Sequence, residues 1–145
     1  MAPTIAMPSR PATRAIALVT PLAIPALCSS APDSPPEPEL PAESDFAQGT
    51  CREAAPDLLE LGRTLPRLGD ESSVPSDVQQ VLADVQDRLS FFAEAAEPEL
   101  AGVLPTLVER IGGVRIRAVG NTYEPDLGED LQEAYDEVLA ACTAG

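Results

Sequence analysis

The stretch 76-SDVQQVLADVQDRLSFF-92 decides the fold class. Val78, Leu82, Val85, Leu89 and Phe92 recur at steps of four and three, with Val81 beside them. At 100° per residue that spacing gathers them on one side of an α-helix. Asp84, Asp87 and Arg88 fall outside the stripe. Ser76 with Gln79 reads as an S-x-x-Q capping box. Pro98 closes the segment and opens the next helix, because proline is tolerated in a first turn.

The same spacing extends in both directions. Upstream, Cys51, Ala54, Leu58, Leu61, Leu65 and Leu68 form an alternating four-three seam. Asp45 is the expected N-cap ahead of Phe46. Pro56 is expected to kink this helix or delay its regular start, and Pro66 to end it or disturb its last turn. Downstream, Leu100, Val103, Leu104, Leu107, Ile111, Val114 and Ala118 form a third stripe, weakened by Pro105 and by Gly112-Gly113. Within it, 114-VRIRAV-119 alternates with period two and could be a short strand. A lone strand has no evident partner, so a bent helix is expected there, stopped by Gly120-Asn121. A fourth helix begins near Asp126, with Leu127, Leu131, Ala134, Val138, Ala141 and Cys142 on one side. Glu129, Asp130, Glu133, Asp136 and Glu137 crowd the other. Short connections favour antiparallel neighbours. The expected fold is all-α, an up-down-up-down four-helix bundle over residues 46–145.

That topology puts the start of the first helix and the end of the fourth at one pole. Cys51 and Cys142 lie there, both on apolar faces, so a disulfide between them is expected in an oxidising compartment. The cysteines are far apart in sequence and lack a C-x-x-C spacing, which disfavours a redox-active pair.

Composition excludes several function classes. The chain has 145 residues, a net charge of −15, nine cations that are all Arg, and no His. Nucleic-acid binding needs cations to displace counterions from phosphates, and an anionic lipid surface would repel this chain. Without His, Ser-His-Asp and Cys-His chemistry are unavailable within one chain, as are Glu-x-x-His di-iron sites. No P-loop and no G-x-G-x-x-G is present, so no cofactor is implied. Glu129, Glu133 and Glu137 are spaced i, i+4, and oxygen ligands suit calcium. Nothing matches an EF-hand loop, and a solvated acidic face is the expected reading. No catalytic residue and no metal ligand is assigned.

Two features read as partner contacts or as internal ones. Phe91 points away from a core that Phe92 faces; it either meets a partner or tucks under the loop 120–125. Arg110, Arg115 and Arg117 are the basic cluster outside the N-terminal segment. They either meet an anionic partner or pair with acids such as Glu124 or Asp130, the latter being the expectation.

Residues 1–28 read as an export signal. Arg10 and Arg14 supply a positive start, and 15-AIALVTPLAIPAL-27 is an apolar run shorter than the ~20 residues a membrane span needs. Residues 29–45, SSAPDSPPEPELPAESD, are proline, serine and acid, and read as a disordered, extended linker. An apolar run, then Cys28, then a small-polar tether resembles a bacterial lipoprotein precursor. That resemblance implies lipidation of Cys28 and attachment to the membrane through that lipid alone. Pro25 at −3 and Leu27 at −1 depart from the lipobox. Ordinary signal peptidase cutting after Cys28, Ser30 or Ala31 is the alternative, and it discards Cys28.

Signal, tether and a helical domain with one Cys near each end together resemble the small secreted or lipoprotein-type helical proteins of high-GC Gram-positive bacteria, whose biochemistry is uncharacterised. The resemblance implies location rather than activity. The expected function is a non-enzymatic envelope module that binds a protein or cell-wall component. A freely secreted binding protein or inhibitor and an acidic metal-binding domain are the alternatives.

Overall fold

The structure, a computed structural model, describes residues 36–144. The export signal, Cys28 and the tether as far as residue 35 lie outside the described residues. Four helices follow in order: α1 (Thr50–Thr64), α2 (Ser76–Glu94), α3 (Val103–Val119) and α4 (Pro125–Thr143). Short 3₁₀ turns, Glu43–Asp45 and Leu65–Arg67, flank α1. Among the described residues there is no strand. Each helix packs against its sequence neighbour, and α1 also packs against α4.

Helix α2 buries Val78, Leu82, Val85 and Leu89, four of the five residues of the stripe its spacing predicts, and the fifth, Phe92, is half-buried against the core. Helix α3 runs unbroken through 114–119. Burial explains why the helical period wins over alternation. Val114 and Ala118 join Leu104, Leu107 and Ile111 inside, while Ile116 and Val119 are 75% and 79% exposed. Alternation would have buried Ile116 with its two neighbours. Pro105 does not break α3, because it is the third residue, where a backbone N–H has no intrahelical acceptor. At the far end Asn121 takes the left-handed conformation (φ 52°) and the Thr122 N–H donates to the Arg117 carbonyl at 2.8 Å. Gly120 itself stays at φ −79°.

Three expectations at helix ends are corrected. Asp45 does not cap α1. Its carboxylate accepts from the Ala42 N–H at 2.9 Å within the preceding turn, and α1 starts at Thr50 behind Gly49, whose φ of 82° suits glycine. Ser76 is already helical, behind Pro75. The Gln79 backbone N–H, which the expected box would give to the Ser76 hydroxyl, donates to the Pro75 carbonyl at 3.0 Å, and the Gln79 side-chain amide donates to the Val74 carbonyl at 2.8 Å. Pro98 starts a turn spanning 98–102 rather than α3, which begins at Val103. Pro56 sits inside α1, which continues through it to Thr64. Pro66 falls in the 3₁₀ turn that ends α1, as its position predicts.

The packed chain begins earlier than Phe46. Leu40 lies against the core, Phe46 is buried, and the Ala47 N–H donates to the Cys142 carbonyl at 2.8 Å. The Arg52 guanidinium donates to the Phe46 and Ser44 carbonyls at 2.8 and 3.0 Å. Residues 40–47 thus form a strap across α1. Beneath it Gly62 is required: a Cβ there would collide with the Tyr135 hydroxyl and, at 2.6 Å, with Leu40.

Candidate functional site

Helix α4 turns its apolar stripe (Leu131, Ala134, Tyr135, Val138, Cys142) inward. The 3.6-residue period then brings Glu129, Glu133, Asp136, Glu137 and Ala140 onto a neighbouring face. Opposite lies the turn that ends α1, from Leu65 to Asp70. Between them runs an open groove of about 710 Å³. Leu65, Pro66, Leu68, Pro125 and Ala140 supply apolar walls, and Asp70, Glu129, Glu133, Asp136 and Glu137 supply five carboxylates. Among the described residues no Arg lines it, and none of the five belongs to an ion pair.

Tyr123 sits in the groove's lining, 3% exposed. Its hydroxyl stands over Gly128, where a Cβ would fall 2.5 Å away, and Leu68 flanks the same spot. This hydroxyl makes no hydrogen bond to another described residue, and it is not sealed from solvent. Burial, and then the Asp70 charge, raise the phenol above its ordinary value. It is therefore a neutral donor and acceptor at physiological pH.

Tyr135 has the opposite setting. Its hydroxyl is sealed in and without a partner among the described residues. Burial first, and the Asp136 charge second, push its pKa up to about 12.

The carboxylates between α1 and α2 are paired. Arg88 donates to Asp57, which is 8% exposed, and to Glu60 at 2.6 Å. The hydrogen bond to Asp57 raises Arg88 above its ordinary value. Arg67 pairs with Asp77 at 2.5 Å, and that hydrogen bond holds Asp77 below the usual carboxylate range.

The residues singled out in the sequence do not converge on one site. Cys51 and Cys142 form a disulfide, with Cα atoms 5.3 Å apart. Phe91 does not tuck under the loop 120–125; it is 72% exposed, edge-on to Phe92 with ring centres 5.7 Å apart. The three arginines of α3 diverge. Arg110 reaches Asp130 at 3.5 Å, Arg115 donates to the Gln86 side chain of α2, and Arg117 has no ion pair among the described residues. Glu124 pairs with none of them. Among the described residues no three His, Cys, Asp or Glu side chains are grouped to hold a metal ion, and no helix is long and apolar enough to cross a membrane.

Sequence reasoning missed the groove. Its α4 wall was visible as an acidic face, and Leu65 and Leu68 as the end of the first seam, but Tyr123 carried no periodic signal and nothing in the sequence set these pieces side by side. Comparison with protein-family models, with curated proteins and with solved structures finds no match.

Proposed function

We propose that this chain is a non-enzymatic protein of the cell envelope, an acidic helical bundle on an N-terminal tether that binds a protein or wall component. The groove along α4 carries this reading: it is open, apolar-walled, and lined by five carboxylates without ion pairs among the described residues. Its polar groups are carboxylates, an amide and a neutral phenol, and the chain has no His to serve as a base. That inventory supports recognition over turnover.

In this reading the helices run up-down-up-down. Asp57 meets Arg88, and Arg67, further along the chain, meets Asp77. Partners thus shift in opposite directions along α1 and α2. The Cys51–Cys142 link draws the start of α1 to the end of α4. Both observations support the topology. The disulfide also supports export, since such bonds persist in oxidising compartments. Residues 1–28 direct that export, and Cys28, left over from the pairing, carries the lipid anchor as in the lipoproteins its surroundings resemble. The kinship with secreted or lipoprotein-type helical proteins of high-GC Gram-positive bacteria belongs to the same proposal.

Mass spectrometry of the mature N-terminus tests the location. A diacylglyceryl mass on Cys28 is expected. An unmodified N-terminus beyond Cys28 replaces the anchor with free secretion. Capture from envelope extract tests the binding role: a partner whose retention drops with substitutions in the groove, and not with Phe91→Ala or Arg115→Ala, is expected.

A further inference from the structure

We infer that the groove along α4 takes a cationic peptide segment, its Lys or Arg stems lying on the apolar walls and the Tyr123 hydroxyl meeting its backbone. This names the ligand class for the groove and rests on the binding role proposed above.

Charge is the first argument. The described residues include seven Arg, and Arg67, Arg88 and Arg110 form ion pairs. Not one of the seven lines the groove. Glu129, Glu133 and Glu137 repel along α4 at i, i+4 spacing, which works against the helix. A cation from outside would relieve that repulsion.

Tyr123 is the second and independent argument. The Tyr123 side chain is 3% exposed overall, and its hydroxyl keeps access to solvent. The hydroxyl has no partner among the described residues and lies in the wall of the groove, over a glycine that leaves it room. A peptide N–H or C=O is the group it can pair with, as acceptor or donor.

The apolar walls select among cations. Leu65, Leu68, Pro66 and Pro125 offer no oxygen ligands from their side chains, and the acids do not group for a metal. Lys and Arg, by contrast, lay their methylene stems on apolar surface while the charged head reaches a carboxylate. From Glu129 to Ala140 the α4 wall is about 16 Å long at 1.5 Å per residue. That accommodates about five extended residues at ~3.3 Å each.

The test is titration of the oxidised protein at low salt, read by calorimetry and by amide and tyrosine NMR shifts. The probe is a short peptide of alternating Lys and Leu, with a Gln-for-Lys peptide and free spermidine as comparisons. Saturable binding of the basic peptide is expected, with shifts at Tyr123, Gly128 and Gly69. Glu129→Gln with Glu133→Gln weakens it by about tenfold. Glu94→Gln with Glu99→Gln, the same charge removed outside the groove, weakens it less than about twofold, as screened long-range attraction predicts. Tyr123→Phe weakens it by about fivefold, the loss of one hydrogen bond, with an unchanged melting temperature.

Equal weakening by the two Glu pairs overturns the proposal, because it reduces binding to overall charge. Equal binding of the Gln peptide, or spermidine binding as tightly as the Lys peptide, also overturns it. If the basic peptide fails while a partner captured from extract shifts Tyr123 and Gly128, the ligand class falls and the binding role stands. If no partner shifts those resonances, both fall.

Discussion

Helices α1 and α4 are tied together by the Cys51–Cys142 disulfide, yet they meet solvent very differently. α1 buries nine of its 15 residues, including Asp57 and Thr64. α4 buries five of 19. α1 is covered by α2, by α4 and by the strap 40–47, and its acids Asp57 and Glu60 share Arg88. α4 carries a denser set of acids, and of these only Asp130 has a cationic partner among the described residues. The same residue type thus serves two ends. Where two helices meet, a carboxylate is desolvated and must be paired. On the open side of α4 water solvates it, and nothing in the fold requires it. Acids without a structural use are the ones a ligand is free to use.

The largest expected effect removes what the two helices share. Cys51→Ser with Cys142→Ser frees a loop of 91 residues in the unfolded chain. On the chain-entropy treatment this costs about 4–5 kcal/mol. A urea melt should show it as a shifted midpoint. A loss below about 1 kcal/mol would mean that α1 and α4 hold together without the link.

Tyr135 sharpens the comparison from the buried side of α4. Its pKa of about 12 exceeds the ordinary 10.0 because the fold favours the neutral phenol. The sign follows from linkage. Below pH 10 both folded and unfolded chains hold the proton; as pH rises from 10 through 12 the unfolded chain ionises first, and stability falls by about 2–3 kcal/mol. Stability measured across that range should fall, and Tyr135→Phe should remove this part of the decline. At neutral pH the same variant should be neutral or stabilising, because it deletes a buried hydroxyl without a partner. A clear loss at pH 7 would show that the hydroxyl has a partner.

Asp57→Ala tests the paired region. It leaves Arg88 with Glu60 alone and should cost about 1–2 kcal/mol, discounted for the half-exposed guanidinium. The smallest effect belongs to the open face. Glu129→Gln with Glu133→Gln should change stability by less than about 0.5 kcal/mol, toward stabilisation, by easing i, i+4 repulsion. If these acids proved as costly to remove as Asp57, the contrast between the two helices would collapse.

Much of the helical architecture was legible because buried stripes repeat at three and four. The stripes of α2 and α3 match except that Phe92 and Val103 are half-buried and Leu100 is buried ahead of α3, and Cys51 and Cys142 meet as their positions predict. The ends were less legible. Asp45, Ser76 and Pro98 are each plausible in type, but capping depends on one or two residues of backbone geometry, which periodicity does not contain. The strap was misread because 40-LPAESD-45 has the composition of a linker. Leu40 joins the domain because Gly62 opens a place for it.

The sequence alone determined an all-helical, strongly acidic domain with too few cations to neutralise its acids and no His for common catalytic roles. Those properties follow from composition and from a period that any window reveals. Only the tertiary structure decided which acids would be paired and which left open. Arg88 reaches Asp57 across 31 positions, and Tyr123 arrives beside Gly128 from a loop with no repeating pattern. A groove is a relation between surfaces distant in the chain, and packing brings them together.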